Sequence, residues 1–111
     1  MHKIENPKTV ECPTLSPDRQ MLWDAANLIE ERGHAKGALV RVDGSMCALG
    51  ALNCAATGDP LDHQQRHDVS GFMVAFSSLT KRVGGDIVEW NNAPERTKEE
   101  VVSELRSAAL S

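Results

Sequence analysis

Residues 45–56 read Ser-Met-Cys-Ala-Leu-Gly-Ala-Leu-Asn-Cys-Ala-Ala, an uncharged run and the longest weakly polar stretch available for a core. Cys47, Ala48, Leu49, Ala51, Leu52, Cys54, Ala55 and Ala56 surround a helical wheel nearly completely, the pattern of a helix buried on most sides. Gly58 ends this pattern and Asp59-Pro60 blocks its continuation. The spacing therefore predicts a central helix over about 46–57. Gly50 costs that helix about 1 kcal/mol relative to Ala, which makes sense if another part of the chain crosses there.

Upstream, Ala38-Leu-Val-Arg-Val-Asp-Gly-Ser-Met carries β-branched residues before Asp43-Gly44, so 38–46 reads as a short β-hairpin or an irregular loop resting on helices. Before it, Ser16-Pro17-Asp18 is a helix opening, with a side-chain acceptor, a preset φ and an acid at the positive end. Met21, Leu22, Ala25, Ala26, Leu28 and Ile29 follow the 3.6-residue period, and Gly33 closes the helix as a left-handed cap. Residues 1–15, with Pro7 and Pro13, read as an extended arm able to dock through Ile4, Val10 and Leu15.

Downstream, Val69, Phe72, Met73, Phe76, Leu79, Thr80 and Val83 form one stripe, with Asp68 as a candidate cap and His63–His67 as a separate turn. Gly84-Gly85 stops that helix. Asp86–Asn92 fits a short helical turn or a small strand, buried through Ile87, Val88 and Trp90. Thr97-Lys98-Glu99-Glu100 is a capping box opening the last helix through Val101, Val102, Leu105, Ala108 and Ala109. The expected architecture is mainly α: a four- to five-helix bundle forming one domain over 16–111.

At 111 residues the chain suits one core. Its 41% hydrophobic and 25% charged content requires neither disorder nor a membrane span. A net charge of −4 and only four aromatic residues (two Trp, two Phe) argue against a nucleic-acid partner. No apolar leader or spanning run is present, and Cys12, Cys47 and Cys54 include no C-x-x-C. The reading is a reduced, cytoplasmic protein that needs no cofactor.

Three constellations are candidates for chemistry. A thiol enzyme would use Cys47, activated at its helix start, with His34 as base and Asn91 or Asn92 as the orienting group. Against it stands the apolar character of the 46–57 helix. A metal module would use His63 and His67, spaced i, i+4, although the Glu of H-E-x-x-H and any paired cysteines are missing. A protein-binding surface would draw on Trp23, placed on the outer face of the first helix or packed on the arm, and on Trp90, Asn91, Asn92 and Arg96. In a bland reading, Trp90 buries its indole and the asparagines bond turn backbone.

Leu28-Ile-Glu with Gly33 and Gly37, Cys47-Ala-Leu-Gly-Ala-Leu, and Trp90-Asn-Asn-Ala-Pro-Glu-Arg-Thr-Lys-Glu-Glu-Val together resemble a family of small uncharacterised proteins of actinobacteria and their phages. The resemblance spans roughly residues 20–110. The chain departs from it at His34, where Trp is frequent, and at Asn92, where Asp is usual. It implies one mainly helical domain and no catalytic residues. Through a phage origin it also implies binding to a host protein. The resulting expectation is a non-enzymatic interaction domain whose partner is another protein, or a second copy, rather than nucleic acid or membrane. A Cys47-dependent enzyme is the alternative, and a metal-binding module the third reading.

Overall fold

Glycines and side-chain caps set most of the helix boundaries, and five α-helices form among the described residues. The computed structural model describes residues 15–111. Its elements are α1 (Pro17–Arg32), α2 (Ala48–Thr57), a 3₁₀ turn (Gln65–Asp68), α3 (Phe72–Val83), α4 (Ile87–Asn92) and α5 (Lys98–Leu110). The fold is mainly α, as the periodicity predicts. Apart from Leu15, the arm expected over 1–15 lies outside the described residues. None of the helices among the described residues is long and apolar enough to cross a membrane.

α1 packs against α2, α3 and α5. Its Leu22, Ala25, Ala26 and Ile29 are fully buried, and they meet Phe72, Leu79, Val101 and Leu105 in one core. Each large side chain removed from water there contributes roughly 1.5–3 kcal/mol before conformational entropy is subtracted. Trp23 does not sit on an outer face. It is buried, with the Arg106 guanidinium 5.4 Å from its ring centroid, because α5 widens the enclosed arc of α1 beyond the stripe visible in its own sequence.

α2 is the expected core helix, buried at Ala48, Gly50, Ala51, Leu52 and Asn53 and half-buried beyond them. It starts two residues later than its apolar run, since Met46 is held by backbone bonds in the preceding loop and Cys47 is the N-cap. Gly58 ends it in the left-handed region. A Cβ at Gly50 would fall on the backbone carbonyl of Leu39, which identifies the crossing expected there.

Two other helix starts differ from their sequence cues. Ser16 provides no side-chain cap, and its backbone carbonyl accepts from Gln20 N at 2.8 Å. Asp68 ends the 3₁₀ turn instead of capping α3, which begins after Gly71. Gly71 has φ 92°, and a Cβ there would lie 2.6 Å from the Asp18 backbone nitrogen. The close approach of the α1 start to the α3 start therefore decides where α3 begins. Gly33 stops α1 with φ 103° and ψ 166°, outside the left-handed helical well that a simple cap would use.

The remaining helices start on side-chain caps. Asp86 accepts from Glu89 N at 3.0 Å and settles 87–92 as a helical turn. In the Thr97–Glu100 box, Glu100 N donates to Thr97 Oγ1 at 3.1 Å and Thr97 N donates to Glu100 Oε1 at 3.0 Å.

Gly50→Ala tests the crossing. Helix propensity alone would favour Ala by about 1 kcal/mol, but the Leu39 carbonyl belongs to backbone and cannot swing aside. A net loss of about 2–3 kcal/mol is expected in urea denaturation. An unchanged or higher midpoint would contradict the crossing.

Candidate functional site

The loop between α1 and α2 folds around Met46. Met46 N donates to Gly33 O at 3.1 Å, and Ala35 N donates to Met46 O at 2.9 Å. On the other side Cys47 N reaches Leu39 O at 3.2 Å and Arg41 N reaches Ser45 O at 2.8 Å. Met46 thus bridges His34 in a parallel sense and Val40 in an antiparallel sense, and no longer strand forms among the described residues. Of the two readings of 38–46, a hairpin or an irregular loop, the structure has the loop, with this one antiparallel bridge and a turn closed by Gly44 N to Arg41 O at 2.9 Å. Asp43 stabilises the turn by accepting from Ser45 Oγ at 2.7 Å and Ser45 N at 3.0 Å. The Ser45 hydroxyl, followed by its N–H, holds the Asp43 carboxyl below the ordinary carboxylate range.

Side chains of α4 fasten this loop to α2. Asn91 is fully buried, and its Oδ1 accepts from Ala48 N at 2.9 Å and lies 2.8 Å from His34 Nε2. Its Nδ2 donates to Ala35 O at 2.9 Å and to Asn92 Oδ1 at 3.0 Å. One amide therefore uses its acceptor and donor sides on three segments. The bond to Ala48 N also satisfies a first-turn donor of α2 that the helix itself cannot. Asn92 Oδ1 accepts from Gly37 N at 3.0 Å. Lys36 Nζ closes the ring by donating to Ala93 O at 2.8 Å and Pro94 O at 3.0 Å. The asparagines thus bond the backbone of a distant loop rather than that of their own turn.

His34, Cys47, Asn91 and Asn92 are brought to one place. Cys47 is 2% exposed, and its Sγ accepts from Gly50 N at 3.3 Å rather than pairing with His34. Burial pushes its thiol upward, outweighing the Gly50 and Leu49 N–H groups that pull it down. The activation expected from the helix start is therefore overturned by desolvation.

The other sequence candidates lie elsewhere. Trp90 is half-buried, with Arg96 stacked 4.3 Å from its ring centroid and Arg96 Nε donating to Trp90 O at 2.9 Å. That pair braces the turn into α5. His63 precedes the 3₁₀ turn, so it shares no α-helical face with His67. His67 places Nδ1 3.1 Å from Met73 Sδ and stands edge-on to Phe72. No group of three or more His, Cys, Asp and Glu among the described residues is placed to hold a metal.

Sequence reasoning missed Lys36 and Val42. Lys36 grips carbonyls more than fifty residues away and carries no local signal. Val42 is wholly exposed at the turn, where sequence suggested only β-propensity.

The fold and the site define a small helical domain that displays an asparagine-braced loop. Residues 13–110 match a family of unknown function, DUF6197, and the chain belongs to that family. Comparisons with curated proteins and with solved structures gave no significant match.

Replacing Asn91 by Ala would leave Ala48 N–H and Ala35 C=O buried without their partner. A destabilisation of about 3–5 kcal/mol is expected by chemical denaturation. A change below ~1 kcal/mol would show that the bonds are dispensable.

Proposed function

We propose that this chain is a non-enzymatic protein-interaction domain and that residues 36–44 are its recognition element. The observation that carries this reading is the contrast between the base and tip of the loop. The base is held by Asn91, Asn92 and Lys36, while the Val42 side chain at the tip is fully in water. Bracing lowers the ordering cost of binding, and an apolar side chain on a rigid loop can desolvate against a partner. The sequence resemblance supports the finer form of the proposal: a phage-encoded protein that engages a host protein in the cytoplasm of an actinobacterium.

Immobilised protein exposed to an actinobacterial lysate should retain a partner that the Val42→Ser variant loses, with helical content unchanged by circular dichroism. Equal retention by both proteins, or none by either, would count against the loop.

The alternative is a Cys47-dependent enzyme, favoured by the 2.8 Å contact between His34 and Asn91 beside the start of α2. The buried thiol argues against it, because its ionised form is disfavoured at neutral pH. With a thiol reagent at pH 7, Cys47 should stay unmodified until the chain unfolds. Modification of the native protein at the rate of a free thiol would favour the enzyme reading instead.

A further inference from the structure

The described methionines fall into two environments. Met21 and Met46 are buried, at 6% and 1% exposure, whereas Met73 in the first turn of α3 is 51% exposed. Met73 and Val74 front an open groove of about 480 Å³ with Ser77, Ser78 and Lys81, so a small solute meets the thioether without any opening of the core. Met21 and Met46 become accessible only when the core opens.

A hydrogen-bond donor stands beside the exposed sulfur. His67, in the 3₁₀ turn that precedes α3, places its Nδ1 3.1 Å from Met73 Sδ. A thioether carries no proton, so Nδ1–H is the donor of this contact. The same imidazole is set edge-on to the buried Phe72, with ring centroids 5.9 Å apart, and the two contacts together orient it. Sulfur is a weak acceptor, whereas the oxygen of a sulfoxide is polar and accepts well. Met73 is unbranched and can rotate to present such an oxygen to Nδ1.

We propose that Met73 is a peroxide-sensitive modification site and that His67 clamps its sulfoxide, tying the 3₁₀ turn to the start of α3. A lone pair of Met73 Sδ attacks one oxygen of hydrogen peroxide, the S–O bond forms and the O–O bond breaks. The sulfur is oxidised and the peroxide reduced; the departing hydroxide takes the proton from the transferred oxygen and leaves as water. An N–H···O bond then replaces N–H···S. Two backbone bonds lie in the segment that it spans or next to it, Val69 N to Arg66 O and Phe72 N to Val69 O, both at 3.1 Å. Oxidation also turns the Met73 end of the groove from apolar to polar.

The test treats the native full chain with hydrogen peroxide and follows each methionine by peptide mass spectrometry. Met73 should oxidise at least about ten-fold faster than Met21 or Met46. Amide hydrogen exchange at Val69 and Phe72 should then slow by about three-fold, and methionine sulfoxide reductases should restore the original rates. Met73→Leu keeps an aliphatic side chain without the sulfur, and its exchange rates should not respond to peroxide. His67→Phe keeps a ring against Phe72 but removes the donor; Met73 should still oxidise, with no slowing of exchange. Oxidation of Met73 no faster than that of the buried methionines would overturn the modification site. Unchanged exchange after oxidation, or equal slowing in His67→Phe or Met73→Leu, would overturn the clamp. If His67→Phe fails to fold, the Met73→Leu comparison and the reductase reversal decide.

Discussion

The structure depends on a single buried amide. Asn91 stands on a helix of only six residues, yet its side chain reaches the α1–α2 loop, the first turn of α2 and its own neighbour Asn92. Carbonyl and N–H groups in these segments would otherwise lie away from water without partners, at roughly 1–3 kcal/mol each. A hydrophobic residue of similar size could fill the space but could not satisfy these groups. Polar satisfaction thus fixes one arrangement of the loop, where apolar packing would accept several.

Two close backbone approaches make that arrangement sterically available. Gly50 lets the Leu39 carbonyl lie against α2, bringing the loop within reach of α4. Gly71 lets the start of α1 pass the start of α3, closing the other end of the bundle. Between them, Leu22, Ile29, Phe72, Leu79 and Leu105 supply the apolar burial. Core and loop both contribute to stability: apolar burial drives the packing, and the Asn91 bonds hold the loop, with Val42 at its tip, against the helices.

Local chemistry made much of the fold legible. The Thr97–Glu100 box, the Gly58 and Gly84 stops and the stripes of α1 and α5 all depend on residues within one or two turns of each other. Gly50 signalled a crossing because glycine is costly inside a helix, although Leu39 as the crossing residue was not readable. Of the two placements open to Trp23, the outer face fails because Arg106 of α5, about eighty residues away, lies over its ring; packing on the arm lies outside the described residues. Asp68 was a credible cap until the contact of Gly71 with Asp18 moved the helix start. His34, Cys47 and Asn91 were singled out for their chemical types. Their spatial grouping, and the burial that disfavours the thiolate, arise from contacts spanning more than forty residues. Lys36 is the extreme case, since its whole role is a grip on two remote carbonyls.

Native-state hydrogen exchange of the Ala48 amide tests the central role of Asn91 most directly. This N–H donates to the Asn91 side chain rather than to a helical carbonyl, so its protection reports on that bond. If the amide network holds loop and helices together, Ala48 should exchange only through global unfolding, with an opening free energy equal to that of the α1 core amides. Rapid exchange at Ala48 while those core amides remain protected would show that the bond opens locally and that the fold does not depend on it.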